Sequence, residues 1–103
     1  MKIIKELSEY IEEEIADSCK YAKAALKVKE ENKTLADLFY TLSLEETKHM
    51  NLLHDEVVKL IEQYRKEKGE PPAAMMAVYN YLHEKHIEDM QKVKVYQSMY
   101  NER

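Results

Sequence analysis

The sequence is interrupted most sharply at residues 68–72, which read Lys68-Gly69-Glu70-Pro71-Pro72 and hold the one Gly and both Pro of the 103-residue chain. Gly69 suits the position just after a helix, where φ is positive, and proline suits the first turn of the next helix. A sandwich or barrel of strands needs such residues at many turns. Their concentration in a single joint therefore predicts an all-α protein with a helix on each side.

A second joint lies near residues 31–33, where the helical periodicity breaks. Thr34 is followed three residues later by Asp37, which predicts an N-cap at Thr34 and a new helix from residue 35. Because both joints are short, neighbouring helices are expected to be antiparallel. The sequence predicts one domain over residues 1–103, with helices at about 2–31, 35–68 and 72–101.

The amino-acid composition narrows the classes of function that this protein is expected to have. Hydrophobic residues make up 45% and charged residues 35%, and the 20 acidic and 16 basic side chains are mixed along the chain. This is typical of amphipathic helices, and without a basic block we expect no nucleic-acid partner. The apolar runs fall well short of the roughly 20 residues that cross a bilayer, so we expect no membrane association. The single Cys19 suits a reducing compartment, which favours the cytoplasm.

Polar side chains interrupt the middle of the apolar stripe on the first two predicted helices. In the first helix the stripe is interrupted by Glu14. In the second helix it is interrupted by Glu46 and His49, which lie on one face because they are three residues apart. Folding the chain back near residue 32 brings Glu14 level with about residue 51. A carboxylate in an apolar seam is costly unless it is paired, hydrogen-bonded or metal-bound. The three residues are therefore predicted as metal ligands.

The donor set indicates which metal is expected. Carboxylate oxygens with one imidazole suit iron or manganese better than structural zinc. Alternatives remain at each position. Glu14 is a surface acid if the buried stripe instead follows Ile11, Ile15, Ala22 and Leu26. The alternatives for the second helix are a pairing of Glu46 with a lysine at the seam edge, an inward-facing Glu45, and a His49 that is a core histidine donating to a carbonyl.

The segment FYTLSLEETKH, residues 39–49, resembles the second-helix signature of the rubrerythrin branch of the ferritin-like superfamily. In that signature an aromatic residue precedes Glu-x-x-His by two turns. Glu14 followed seven residues later by Tyr21 is similar to the first helix of the same branch, and the 32 residues from Glu14 to Glu46 fit its helix hairpin. The resemblance covers roughly residues 7–60.

The last helix carries no second Glu-x-x-His, so the chain resembles the half-ferritins, including encapsulated ferritins, whose protomers dimerise to complete a four-helix core. The resemblance implies that Glu14, Glu46 and His49 of two protomers hold two irons, with Mn or Zn as alternative metals. It implies ferroxidase or peroxide-scavenging activity, and turnover as a peroxidase needs an external reductant. Tyr21 is the candidate catalytic residue, the alternative being a packing role with its hydroxyl on a carboxylate.

Two questions stay open at this stage. The third helix contains His83, His86 and Asp89, of which His86 and Asp89 are better placed on the apolar stripe to supply a ligand than the neighbouring glutamates. The competing function is that of a metal-free helical interaction or assembly protein, whose polar seam residues serve pairing specificity. We expect the protein to form a homodimer or larger homo-oligomer.

Overall fold

A computed structural model describes residues 2–102, so Met1 and Arg103, the ends of the predicted domain, lie outside the described residues. Over this range the chain forms three α-helices and no strand, which confirms the all-α prediction. The helices are α1 (Lys2–Val28), α2 (Lys33–Lys68) and α3 (Ala73–Asn101). No helix in residues 2–102 is both long and apolar enough to cross a membrane.

The first joint differs from its prediction. α1 ends at Val28 rather than near residue 31, because the Val28 carbonyl accepts hydrogen bonds from the Glu31 and Asn32 amides at 3.1 and 2.8 Å. The predicted N-cap at Thr34 is wrong. Asn32 has extended backbone, and its side-chain oxygen accepts from the Leu35 N–H at 3.0 Å, so α2 starts earlier. Both residue types cap helices well, and the tight turn after Val28 selects Asn32.

The second joint agrees with the sequence. Gly69 has φ 84°, the backbone region that favours glycine, and its N–H donates to the Arg65 carbonyl at 3.1 Å to close α2. Pro72 lies one residue before α3 rather than inside its first turn, and its carbonyl accepts from the Met76 amide at 3.1 Å.

Small side chains lie where α1 meets α2. Ser18 contacts Ser43 and Tyr21 contacts Phe39, so residue numbers fall along α2 as they rise along α1. The residues at this seam that are completely buried are Ser18, Ala22, Ala25, Ala36 and Ser43. The backbone of α3 lies closer to α1 than to α2, but α3 side chains reach α2 through Gln97, Tyr100 and His83, and the described residues form a rod of 56 × 19 × 18 Å.

Two apolar clusters fill the interior. The larger comprises Ile4, Ile11, Ile15, Val57, Ile61, Met90 and Val93, and the smaller comprises Ala25, Ala36 and Tyr100. Between them lies a set of hydrogen-bonded polar side chains, the serine layer, which consists of Ser18, Ser43, Thr47 and Gln97. One turn from this layer on α1 is Glu14, so the fold places the predicted ligands beside the middle of the rod.

Candidate metal centre

The structure brings together the side chains of Glu14, Glu46 and His49, which we call the carboxylate–imidazole cluster. One ligand atom from each residue lies within 4.8 Å of the other two. His49 Nδ1 is 3.5 Å from Glu14 Oε2 and 3.7 Å from Glu46 Oε2. Two helices thus contribute two carboxylates and an imidazole to one small volume.

The cluster lies at the edge of the α1–α2 seam, partly inside the protein and partly open to solvent. The Glu14 and Glu46 side chains are 25% and 20% exposed, whereas His49 is 55% exposed. Glu14 Oε2 is itself fully buried and has no hydrogen-bond partner among the described residues. The nitrogen paired with it is His49 Nδ1 at 3.5 Å, beyond ordinary hydrogen-bond length, and a buried carboxylate oxygen so weakly paired is costly unless a cation approaches it.

The serine layer sets the register that assembles the cluster. Ser18 Oγ donates to the Ser43 carbonyl at 2.8 Å, and Ser43 Oγ donates to the Ser18 carbonyl at 2.8 Å. This reciprocal pair fixes the two helices along their length. Glu14 is four residues before Ser18 and Glu46 is three after Ser43, so each is one turn from the pair on the same side of its helix. The contact between Ser18 and Ser43 therefore places Glu14 close to Glu46.

The donor set fits a divalent cation. Two carboxylates supply hard oxygens and partly neutralise a doubly charged ion, and one imidazole nitrogen completes a set suited to iron or manganese. The unpartnered Glu14 Oε2 is the donor that a cation would engage. The alternative that turns Glu45 inward is not what the structure contains, since Glu45 is exposed while Glu46 is half-buried.

Tyr21, the candidate catalytic residue, lies farther along α1. Its ring stacks on Phe39 with centroids 6.3 Å apart, and Lys20 Nζ lies 5.7 Å from its centroid. Seven residues separate it from Glu14, which corresponds to about 10 Å along the helix axis. The structure therefore gives Tyr21 a packing contact between α1 and α2, at a distance from the cluster.

The polar residues of α3 lie apart from the cluster. His86 is buried, and its Nε2 is 3.5 Å from Glu12 Oε1, longer than an ordinary hydrogen bond. Burial lowers the pKa of His86, and the nearby Glu12 carboxylate partly opposes that shift. Asp89 shares a surface cleft with Glu12. The structure thus brings His86 and Asp89 to Glu12 rather than to Glu46.

His83 has a different neighbour. Its ring stacks on His54 of α2 with centroids 4.9 Å apart, and burial together with the His54 ring lowers its pKa. Sequence reasoning singled out neither His54 nor Glu12. The signal for His54 is its place three residues before the buried Val57, on the inner face of α2. For Glu12, which stands in a run of three glutamates, the sequence offers no such signal.

Comparisons with protein-family models, with curated proteins and with solved structures each find no match to this chain.

Proposed function

We propose that this protein is a ferritin-like iron-binding protein that holds a di-iron carboxylate centre and has ferroxidase or peroxide-scavenging activity. The convergence of Glu14, Glu46 and His49, with Glu14 Oε2 buried and unpartnered, is the observation that supports the proposal. When bound, iron supplies one-electron redox chemistry toward dioxygen or peroxide. Manganese and zinc are the alternative metals for the same donors.

Each residue of the cluster has a separate task. Glu14 supplies the inner carboxylate, whose Oε2 is shielded from water and so is available to a cation without displacing a hydrogen bond. Glu46 supplies the second carboxylate, and its charge together with that of Glu14 favours the higher-charged form of a bound metal. His49 supplies an imidazole nitrogen from the solvent side, since its ring is more than half exposed.

The proposed assembly is a dimer of antiparallel α1–α2 hairpins that forms a four-helix core. One hairpin offers only three ligands, and a two-fold axis would double them. Apolar side chains on the His49 side of α2 remain exposed. Leu52, three residues after His49, is 69% exposed, and Leu38, eleven residues before it, is 52% exposed. Tyr10, one turn before Glu14 on α1, is also exposed.

A second copy of this chain is the partner that these observations favour. It would cover apolar surface on both sides of the cluster and would bring a second set of carboxylates and imidazole to the same place. α3 does not obstruct this face, because it contacts the opposite side of α2 through Tyr40 and His54.

The test is anaerobic titration with Fe(II), followed by exposure to air. We expect one iron per chain, an absorbance change on oxidation, and a shift toward the dimer in sedimentation when iron is added. Glu46→Ala should abolish stoichiometric binding. The matched control is Glu45→Ala, which removes an exposed acid from the adjacent position and should leave binding unchanged.

Unchanged stoichiometry in Glu46→Ala would remove Glu46 from the ligand set. Absence of bound iron in the unaltered protein would reject the iron proposal in favour of the metal-free interaction or assembly protein, which the exposed apolar residues of α2 and α3 also suit. The catalytic role that the resemblance implies for Tyr21 is tested by Tyr21→Phe, which keeps the ring on Phe39. Slower iron oxidation at unchanged binding would support that role, whereas an unchanged rate would leave Tyr21 with its packing contact alone; Tyr64→Phe is the control.

A further inference from the structure

A stack of three aromatic rings joins α2 to α3 on the far side of the molecule from His49. His54 of α2 stacks on His83 with centroids 4.9 Å apart and planes inclined by 21°. Tyr79 stacks on the same His83 ring at 5.8 Å. The two histidines line a groove of about 290 Å³ together with His86, whose buried Nε2 lies toward Glu12 Oε1 at 3.5 Å and also makes no hydrogen bond.

His54 carries a nitrogen with no protein partner. Its Nε2 is buried and makes no hydrogen bond among the described residues, although buried ring nitrogens are ordinarily satisfied. The stack explains why the ring is held in place, but it leaves that nitrogen unexplained. A lone pair on a neutral imidazole is a good ligand for a transition metal, and a cation would satisfy it.

The distance between the His54 and His83 ring centroids matches the distance expected for two imidazoles bound to one cation. A Zn–N bond is about 2.0–2.1 Å, so two imidazoles bound to one cation have ring centroids roughly 5 Å apart. Rotation about χ2, which is a soft torsion for histidine, turns a nitrogen of each ring toward a common point. The separation of the ring centroids is therefore already the one that such a site needs, and both rings turn out of the present stack to bring their nitrogens together.

From this geometry we propose that His54 and His83 form a second metal site, which binds a borderline divalent cation such as Zn²⁺ and ties α3 to α2. Imidazole donors alone favour zinc, copper or nickel over iron. Water fills the remaining positions, because the cluster at Glu14 is the one place in residues 2–102 where three or more His, Cys, Asp or Glu ligand atoms converge. His86 is directed to Glu12 and takes no part.

The site has a mechanical consequence. α3 also meets α2 near its C-terminal end, where Gln97 bonds to Ser43 and the Tyr100 ring stacks on Tyr40, and the His54–His83 pair is a contact in the N-terminal half of α3. A cation that binds both rings in the folded protein, and not in the unfolded chain, stabilises that arrangement by mass action. The inference does not depend on the proposed iron centre, which uses other side chains.

The experiment starts from the full-length Glu46→Ala/His49→Ala variant, in which the carboxylate–imidazole cluster is disabled. Titration calorimetry with Zn²⁺ should find one ion per chain. Adding His54→Gln or His83→Gln should weaken binding at least tenfold, whereas adding His86→Gln, the matched control from the same helix, should change it less than twofold. Helicity measured by circular dichroism verifies that each variant is folded.

A second measurement uses the unaltered chain. In imidazole ¹H–¹⁵N spectra, Zn²⁺ should shift the ring signals of His54 and His83 and leave those of His86 in place. The proposal is overturned if the Glu46→Ala/His49→Ala variant binds no zinc, or if both glutamine variants bind it as tightly as their parent. Because the iron titration is read with other variants, either proposal can fail while the other stands.

Discussion

Two polar groups interrupt the α1–α2 seam within one turn of each other, and they are satisfied in opposite ways. In the serine layer, Ser18 and Ser43 are fully buried and bond to each other's carbonyl, and Gln97 adds a bond to Ser43 Oγ at 3.0 Å. In the carboxylate–imidazole cluster, Glu14 Oε2 is buried without a hydrogen bond, and its ionic neighbour is His49 Nδ1 at 3.5 Å. The polar side chains of the serine layer find hydrogen-bond partners within the protein, whereas the buried oxygen of the carboxylate–imidazole cluster gains a strong partner only when a cation binds.

This difference separates a structural polar group from a candidate binding group. A buried polar network with every member bonded fixes a unique packing. A buried carboxylate left unpartnered reduces the stability of the protein alone and gains free energy when a cation binds. Substitutions in the two groups should therefore change stability in opposite directions, and the following predictions test that contrast.

The largest effect is expected for Ser18→Leu. The α1–α2 seam accepts only small side chains at this position, so the added methyl groups should force the helices apart and lower the free energy of unfolding by about 1–3 kcal/mol. Urea denaturation measures it. Asp17→Leu, which changes an exposed neighbour, is the control and should cost far less. An equal loss in both variants would mean that the seam is not tightly packed.

A gain in stability is expected for Glu14→Leu in metal-free protein. Replacing the acid removes a buried oxygen that has no donor, and the free energy of unfolding should rise by about 1 kcal/mol. The same substitution should abolish iron binding. Glu13→Leu alters an exposed acid and should stay within about 0.5 kcal/mol of the parent. A loss of stability in Glu14→Leu would contradict the contrast between the two groups.

A smaller loss is expected for Ser18→Ala. The substitution removes the hydrogen bond to the Ser43 carbonyl, but that oxygen still accepts from Thr47 Oγ1 at 3.1 Å. We expect a decrease of about 0.5 kcal/mol in the free energy of unfolding, at the low end for one hydrogen bond. Comparing the losses of unfolding free energy in Ser18→Ala and Ser18→Leu then separates the contribution of the serine's hydrogen bond from that of its small size.

The smallest effect is a pH dependence that extends the comparison to His86, a third buried polar group. Burial holds the pKa of His86 below its ordinary value of 6.5, while Glu12 and Asp89 oppose that shift and His83 reinforces it. The unfolded chain therefore binds more protons below pH 6.5, and stability should fall as the pH drops from about 7 to 5. Urea denaturation of metal-free protein across this range should show a shallower slope in His86→Gln.

Much of the fold follows from the sequence, because the Gly and Pro of residues 68–72 and the apolar stripes define three helices. The register of the hairpin does not follow. Counting back from a joint near residue 32 set Glu14 level with residue 51, whereas Glu14 lies beside His49. The close contact of Ser18 with Ser43 sets the register, and the distance along the chain to a turn does not reveal which small residues meet.

The candidate site, like the fold, was predictable from the sequence only in part. Spacing alone put Glu46 and His49 on one face, because residues three apart are neighbours on any helix. The apolar stripe of α3 put His86 on its inner face, where the structure buries it, but it did not show which residues of α1 and α2 that face meets. The pairing of His83 with His54, and of His86 with Glu12, depends on how α3 is rotated against α1.

The closer approach of the α3 backbone to α1 than to α2 has a consequence for its motion. Release of α3 breaks its side-chain contacts with α1 and α2 but neither of the reciprocal Ser18–Ser43 hydrogen bonds, so α3 can detach in a partial opening that leaves the α1–α2 seam closed. Amide protons in the middle of α3 should then exchange with deuterium faster than those near Ser18 and Ser43. The last third of the chain would behave as a separable folding unit, and the first two thirds would persist after it is released.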